Sequence, residues 1–466
     1  MKQLVMKLLV LLLMLSSWVG EVLGDYESTY QAKAHKSFII ENAVIDVGEG
    51  QGAFLGWIAV SEGRIQAMGS SNEPKPEVAE RLDASGLWLT PGIIDVHSHL
   101  GDYPSPSYRA HSDGNEATSP VTAEVWAEHS VWPQDPQFPL ALAGGVTALQ
   151  ILPGSANLFG GRSVVLKNVW SRTVQGMKFP GAPYGLKMAC GENPKRVYGS
   201  KSQSPATRMG NFAGYRKAWI DAREYQKKWQ RYERALSQYV AWESSKSDSD
   251  YKTRPSPPKR NLQMETLVGV LEGEILVHNH CYRADEMAQI IDLSREFDYQ
   301  VTAFHHAVEA YKIGDLLAAN NVCAAMWADW WQFKLESFDG VKSNVPMVHA
   351  AGACAIVHSD SATGIQRLNQ EAAKALAAGQ RLGLSLSDSD ALTWLTRNAA
   401  KALGILDQTG TLAIGKMADL VLWSHPPLSV YARAQIVFID GVKQFDREKG
   451  IAPVTDFELG QREEIF

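Results

Sequence analysis

Seven of the twelve histidines in this chain fall in four short clusters, each of which follows an apolar run. The clusters are His97-Ser98-His99, His278-Asn279-His280, His305-His306 and His358-Ser359-Asp360. Imidazole nitrogens and carboxylate oxygens are the ligands that zinc and similar divalent ions take in proteins. Histidines placed by chance would be scattered, so the clustering predicts a metal site that could activate water.

The first cluster ends the stretch from Pro91 to His99 (PGIIDVHSH). Its β-branched run predicts a strand, and in a strand residues two apart project from the same face. His97 and His99 would then stand side by side at the carboxyl end of that strand. A His-x-His pair alone is weak evidence, because two ordinary polar residues at a strand tip look the same.

Eight short apolar runs predict the strands that must position these clusters. They cover residues 93–99, 146–152, 163–167, 185–190, 274–280, 300–306, 322–327 and 354–360. Helical patterns at 284–297, 309–320 and 367–382 alternate with several of them, as in parallel strands joined by crossover helices. We therefore predict an α/β fold, a (β/α)8 TIM barrel, in which ligands gather at the carboxyl ends of the strands.

The motifs at the strand ends resemble the amidohydrolase superfamily of metal-dependent hydrolases. The resemblance rests on Leu89-Thr90-Pro91-Gly92 before the first strand and on the residues that end strands one, five, six and eight. His306-Ala307, followed by Glu309-Ala310-Tyr311-Lys312, is similar to a motif of the imidazolonepropionase-like members. The resemblance covers nearly all of the mature chain outside one insertion, and it implies a barrel enzyme that binds a divalent ion.

The resemblance also implies the ligands. They are His97, His99, Asp360 and one histidine each from strands five and six. On strand five we favour His278, which follows the apolar run directly, and on strand six His306, which begins the motif above. The remaining His280 and His305 could bind substrate or orient the ligands.

Strand four decides between one ion and two. Many family members bridge two ions with a carboxylated lysine on this strand, and others use a glutamate from strand three. Lys187 lies inside the predicted strand, and Glu192 lies just past its end. A lysine in an apolar strand needs a partner or a modification, but Glu192 is an equal rival for the role.

The ligand set predicts a mechanism. A bound divalent ion, with zinc the first choice, would lower the pKa of a coordinated water toward about 7 and polarise the scissile carbonyl. Asp360 would accept a proton from that water and pass it to the leaving amine. Arg162, Tyr282 and Arg283 are candidates for substrate binding, although a structural or surface role explains each of them equally well.

We therefore predict an exported, metal-dependent amidohydrolase that cleaves a C–N bond in a small amide, a dipeptide or a cyclic amide. The alternatives are a deaminase of a ring amine on the same scaffold and a non-catalytic protein that binds a metal or ligand. Release of ammonia from nucleobases rather than cleavage of peptides would identify the first, and metal bound without turnover would identify the second.

The two chain ends predict further modules. Residues 1–24 combine Lys2 and Lys7 with a short apolar run, the pattern of a cleavable signal peptide, which predicts a periplasmic or extracellular protein without a stable membrane span. Short strands separated by Gly, Asn and Ser in residues 25–89 and 406–466 predict one small β-sandwich, built from both ends beside the barrel of residues 90–405.

Residues 212–261 do not fit the strand–helix repeat. Aromatic and apolar residues recur at helical spacing from Phe212 to Ser244 and predict a long amphipathic helix, followed by a Ser- and Pro-rich loop to Asn261. A stripe that packs on the barrel is the simpler interpretation. A substrate lid or a subunit contact, and with it a homo-oligomer, is the alternative.

Charge and cysteine content narrow the class further. The net charge is −6, and removing Lys2, Lys7 and Glu21 with the leader takes away +1 and leaves −7, so no basic surface is available for nucleic acid. The cysteines are Cys190, Cys281, Cys323 and Cys354. Their spacing does not match a zinc–cysteine site, and although export permits disulfides we expect buried free thiols.

Overall fold

The computed structural model describes residues 26–245 and 252–451. Its strands are β1 (Phe38–Ile45), β2 (Phe54–Ser61), β3 (Arg64–Ser70), β4 (Glu80–Asp83), β5 (Trp88–Pro91), β6 (Ile93–Ser98), β7 (Val146–Ile151), β8 (Phe159–Lys167), β9 (Gly185–Ala189), β10 (Leu276–His280), β11 (Ala303–His305), β12 (Cys323–Met326), β13 (Cys354–Val357), β14 (Leu420–Trp423), β15 (Ala434–Ile439) and β16 (Val442–Asp446). Its α-helices over these ranges are α1 (Gln137–Ala143), α2 (Glu192–Gly199), α3 (Arg208–Ser245), α4 (Leu262–Leu271), α5 (Ala284–Phe297), α6 (Gly314–Ala319), α7 (Asn344–Ala350), α8 (Leu368–Arg381), α9 (Asp388–Thr393) and α10 (Arg397–Ala402). The predicted signal peptide (1–24) lies outside the described residues, as do parts of the loop after residue 244 and of the C-terminal segment.

Strands β6 to β13 follow one another around a nearly closed barrel, which confirms the predicted (β/α)8-like fold. The seam between β13 and β6 is held by Asp95, whose carboxylate accepts hydrogen bonds from the backbone N–H groups of His97 (3.1 Å) and Ser359 (3.2 Å). The N–H of Asp360 donates to the carbonyl of His97 at 3.0 Å. The seam therefore joins the first and the last of the histidine clusters.

The third barrel strand runs against its neighbours, which corrects the prediction of parallel strands throughout. β8 pairs antiparallel with both β7 and β9, whereas the other hydrogen-bonded neighbours in the barrel pair parallel. A parallel return needs a connection of about a dozen residues or more. The loop 152–158 between β7 and β8 is shorter and has no helix, so β8 returns toward the amino-terminal end of the barrel.

The two chain ends form one eight-stranded sheet, in the order β16-β15-β14-β5-β1-β2-β3 with β4 paired to β1. β14 pairs antiparallel with β5 and so joins the C-terminal strands to the N-terminal ones. Alternating aliphatic residues such as Ile40, Ile58 and Leu420 are buried in the core of this domain. The extra β-rich domain predicted beside the barrel is therefore confirmed.

Helix α3 covers the predicted amphipathic segment. Its first half buries Tyr215, Trp219 and Ala222, and the ring centroid of Trp219 lies 4.6 Å from that of Tyr299. Trp229 also packs against the core, whereas Val240, near the end of the helix, is exposed. This packing is the simpler of the two interpretations offered by the sequence. Within residues 26–245 and 252–451, the structure contains no helix with the length and apolar character needed to traverse a bilayer.

The four cysteines form two disulfides, Cys190–Cys281 and Cys323–Cys354, which corrects the expectation of free thiols. Cys190 and Cys281 directly follow the neighbouring strands β9 and β10, and Cys323 lies opposite Cys354 in the β12–β13 ladder. The register of neighbouring strands brings each pair together. The spacing of cysteines along the sequence does not predict that register.

Candidate active site

Three imidazoles converge on one carboxylate at the carboxyl ends of the barrel strands. Possible ligand atoms of His97, His99 and Asp360 all lie within 4.8 Å of one another. Oδ1 of Asp360 is 3.6 Å from Nε2 of His97 and 3.3 Å from Nε2 of His99. Oδ2 of Asp360 is 3.7 Å from Nε2 of His306. The structure thus brings together residues that are far apart in the chain.

The backbone at two of these residues is left-handed. His306 has a φ of 55° and Asp360 a φ of 48°. His306 directly follows β11, and Asp360 lies shortly after β13. Non-glycine residues in this conformation cost about 1–3 kcal/mol each and cluster at functional sites. Here the left-handed backbone occurs at two residues whose side chains both face the shared site.

The ring orientation of His97 and His99 is set by hydrogen bonds on the far side of each ring. Nδ1 of His99 lies 2.8 Å from the carbonyl oxygen of Leu152, and Nδ1 of His97 lies 2.9 Å from Nδ1 of His305. Such bonds fix the ring and leave Nε2 of each histidine for a ligand. His305 is fully buried and does not line the cavity. Of the two roles predicted for it, the structure therefore favours orienting a ligand over binding substrate.

The structure reverses our preference on strand five. His280 lines the cavity, whereas His278 is fully buried and does not line it. Nδ1 of His278 lies 2.9 Å from Nε2 of His305, which places His278 among the residues behind the site. Both histidines project from the same side of β10, but His280 is nearer to the carboxyl end, where the cavity opens. The geometry therefore favours His280 as the ligand.

Lys187 and Glu192 both line the cavity, but only Glu192 has an ionic partner. Nζ of Lys187 is buried without a hydrogen-bond partner among the described residues, and burial lowers the pKa of this amine to about 7. Glu192 begins α2, and its Oε1 lies 3.6 Å from Nζ of Lys334. Of these two residues, Lys187 is therefore the one without a partner among the described residues.

Several buried ring nitrogens here also lack partners in the described part of the chain. They are Nε2 of His278, Nδ1 of His280, Nδ1 of His306 and both nitrogens of His358. Burial lowers the pKa of His358 to about 3 and that of His306 well below its usual value, so both rings are neutral. Neutral imidazole is the metal-binding form, and an unsatisfied buried group is costly. These donors therefore fit a divalent ion such as zinc.

A cavity of about 490 Å³ opens at this cluster. Apart from the groups above, it is lined by Tyr103, Asn115, Gly154, Ser155, Asn193, Arg196, Tyr282, Phe333 and Lys334. Tyr282 lies in the wall as predicted, and its ring stacks on that of His306 with centroids 5.9 Å apart. Our sequence analysis missed Arg196 and Lys334. The first follows Glu192 by one helical turn, and the second lies in an aperiodic loop that offers no signal.

Two predicted substrate contacts lie elsewhere. Arg162 is buried in the middle of the reversed strand β8, where its guanidinium lies 4.2 Å from the ring centroid of Trp126 and its Nε donates to Thr266 Oγ1 at 2.9 Å. Arg283 precedes α5 and pairs with Asp285 at 3.1 Å. Neither arginine lines the cavity, so both assignments are corrected. Arg162 is displaced because β8 does not end at the carboxyl rim.

Fold and site together define a barrel protein with a candidate centre for a divalent ion at the carboxyl ends of its strands. The chain matches the amidohydrolase family over residues 274–445. The crystal structure of an amidohydrolase from Thermotoga maritima is 34% identical, with a TM-score of 0.76, and the match covers 88% of this chain and 100% of that one. The chain therefore belongs to the amidohydrolase superfamily, as an imidazolonepropionase-like member.

Two further relatives show the range of this similarity. The chain is 31% identical to the amidohydrolase tasK of Hapsidospora irregularis over 88% of its own length, and it spans only 43% of that protein. It is 23% identical to the imidazolonepropionase of Brucella abortus, with 84% of this chain and 93% of that protein covered. Members of this superfamily generally depend on a divalent metal, which agrees with the donor set found here.

Proposed function

We propose that this protein is a metal-dependent hydrolase that cleaves the C–N bond of a small linear amide, a dipeptide or a cyclic amide. The observation that carries the proposal is the convergence of His97, His99 and Asp360 within 4.8 Å at a cavity of about 490 Å³. Cavities of this size accommodate small molecules. The imidazole and carboxylate donors are those of catalytic zinc sites.

The chain would hold the ion with His97, His99, His280, His306 and Asp360. Such an ion lowers the pKa of water and polarises a carbonyl group. Asp360 is partly exposed to the cavity, with one carboxylate oxygen facing His99 and the other facing His306. It would accept a proton from the attacking water and return it to the departing nitrogen, so that one water adds across the C–N bond and gives a carboxylic acid and an amine, which stay in one molecule when the amide is cyclic.

Lys187 would determine the number of ions. An amine that is buried beside metal-binding histidines without a partner could be carboxylated and then bridge two ions, whereas Glu192 is engaged by Lys334. Intact-mass measurement under native conditions, together with elemental analysis, tests this assignment. We expect the added mass of one carbon dioxide on Lys187 and two ions per chain; one ion and an unmodified lysine would contradict it.

Asp360→Asn tests the proposed role of the carboxylate. The amide oxygen can still ligate but cannot accept a proton, so we expect the metal content to persist and turnover to fall by about 10²–10⁴-fold. A screen of dipeptides and N-acyl amino acids, with ammonia measured in parallel, identifies the reaction. Asp221→Asn, on the exposed face of α3, is the matched control. Full activity in Asp360→Asn would refute the assignment.

We also propose that the protein is exported to the periplasm or the extracellular space. The pattern of residues 1–24 supports export, and so do the two disulfides, because structural disulfides persist mainly in oxidising compartments. Fractionation of cells that express the full chain, with mass analysis of the mature N-terminus, tests the proposal. Uncleaved protein confined to the cytoplasm would contradict it.

A further inference from the structure

We propose that Arg196, with Lys334 beside it, binds a carboxylate of the substrate, which identifies the substrates as amides that carry a free carboxylate close to the scissile bond. N-acyl amino acids and dipeptides have this chemistry, whereas simple amides do not. The inference rests on the proposed function, since it names the substrate class of the same cavity.

Arg196 is the exposed cation at the cavity, whereas Lys187, which also has no hydrogen-bond partner among the described residues, is fully buried. Arg196 lines the cavity and is exposed, and its guanidinium makes neither a hydrogen bond nor an ion pair with any residue in the described part of the chain. Glu192 is paired with Lys334 instead. A guanidinium can bind a carboxylate through two parallel hydrogen bonds, and this geometry makes arginine suitable for carboxylate recognition.

Lys334 is a second cation in a fixed position, and Glu192 offsets part of its charge. Its Nζ donates to Asn193 Oδ1 at 3.1 Å and lies 4.0 Å from the ring centroid of Tyr282. Burial, and to a smaller extent the nearby charge of Arg196, lowers the pKa of this amine, while Glu192 and Glu336 act in the opposite direction. Both cations line the same cavity, so a carboxylate bound by Arg196 would also be attracted by Lys334.

Helix α2 places Arg196 in the wall of the cavity that also contains the candidate metal centre. Glu192 and Arg196 are four residues apart on α2, so they share one face and are separated by about 6 Å along the axis. Arg196 therefore stands one helical turn beyond the residues nearest the strand ends. A substrate whose amide reaches Asp360 and whose carboxylate lies close to that amide would therefore have both groups in the cavity that Arg196 lines.

Tyr282 and Phe333 give the cavity an aromatic wall, and Trp327 packs behind Phe333. The ring centroid of Phe333 is 6.3 Å from that of Tyr282 and 5.7 Å from that of Trp327. This wall would contact an apolar side chain or acyl group. The cavity therefore matches a substrate with an amide, a carboxylate and an apolar group, and N-acetyl-phenylalanine is a suitable probe.

The test compares N-acetyl-phenylalanine with N-acetyl-phenethylamine, which has the same amide and ring but no carboxylate. We expect the full-length, metal-loaded enzyme to prefer the acid, and Arg196→Gln to lower the ratio of the two kcat/KM values by about 10–100-fold, the scale of a lost charge-assisted contact. Lys334→Met, which keeps the apolar stem over Tyr282, should lower the same ratio less. Arg234→Gln, at an exposed arginine of α3, is the control and should leave the ratio unchanged.

Calorimetric binding of both probes to the Asp360→Asn variant separates this inference from the proposed function. Tighter binding of the acid, lost on adding Arg196→Gln, supports the subsite even if neither probe is hydrolysed by the wild type. Equal binding of the two probes, or a kcat/KM ratio that is unaltered in Arg196→Gln, overturns the subsite. Hydrolysis of both probes at equal rates would overturn the subsite and leave the proposed function standing.

Discussion

Two fully buried lysines lie on neighbouring barrel strands and have opposite surroundings. Lys167 ends the reversed strand β8, and its Nζ lies 2.8 Å from Asp440 Oδ2 and 3.6 Å from Asp419 Oδ1. Lys187, on β9, has no hydrogen-bond partner for its Nζ among the described residues. The first amine is at the amino-terminal end of the barrel and the second is toward the carboxyl end.

The difference shows at which end of the barrel the buried polar groups are paired by other residues of the chain. The acids that neutralise Lys167 flank β14 and β15 of the β-rich domain. At this end of the barrel the buried lysine is therefore paired within the protein. At the other end, the buried imidazoles and Lys187 keep unused donors and acceptors. Native proteins pair most buried polar groups, so an unpaired cluster in a cavity indicates a ligand site.

Lys187→Met should have the largest effect of the substitutions considered, and it should lower metal content and turnover rather than stability. Methionine keeps most of the volume but removes the amine that we propose bridges the ions. Losing a contribution of several kcal/mol from the ion corresponds to a fall in turnover of about 10³-fold or more. Elemental analysis and steady-state kinetics measure both effects.

Stability provides the check on the Lys187 prediction. In the metal-free protein, Lys187→Met should leave the free energy of unfolding unchanged or raise it, because an unpaired amine is no longer buried. Urea unfolding of chelated samples measures this. A loss of several kcal/mol would show that Lys187 is a structural group like Lys167, and the comparison would fail.

Lys167→Met should show the reverse behaviour. It leaves Asp419 and Asp440 buried without their cation, and breaking a buried pair in this way costs about 3–5 kcal/mol. Urea unfolding of the metal-free protein measures the loss, while metal content and turnover per folded molecule should persist. Adding Asp440→Asn should recover part of the stability. A variant that stays equally stable would mean that the pairing at this end contributes little.

The contrast also shows what the sequence could reveal. Short apolar runs predicted the barrel strands, and the histidine clusters at their ends, together with the family resemblance, predicted His97, His99 and Asp360, because these motifs are local in the sequence. The direction of β8 depends on loop length, and its reversal moved Arg162 away from the cavity. Strand alternation puts His278 and His280 on the same face and does not say which of them reaches the cavity. The preferred ligand changed to His280 because the structure places only His280 in the cavity wall.

The two disulfides also lie at opposite ends of the barrel strands, and the predicted difference in stability between their variants is the smallest of those considered. Cys190–Cys281 lies at the carboxyl ends of β9 and β10 and spans 91 residues, whereas Cys323–Cys354 joins the starts of β12 and β13 across 31 residues. If loop entropy dominates, removing the first by paired serine substitutions should cost about 1 kcal/mol more stability than removing the second.

The same pair of double-serine variants should differ in function. Cys281 lies between His280 and Tyr282, and Cys190 precedes the start of α2 by two residues, so opening this bridge releases two walls of the cavity. We expect a higher KM in Cys190→Ser/Cys281→Ser and an unchanged KM in Cys323→Ser/Cys354→Ser, measured at a temperature at which both variants are folded. Equal KM shifts would mean that the bridges stabilise the barrel as a whole and that the first has no separate role at the site.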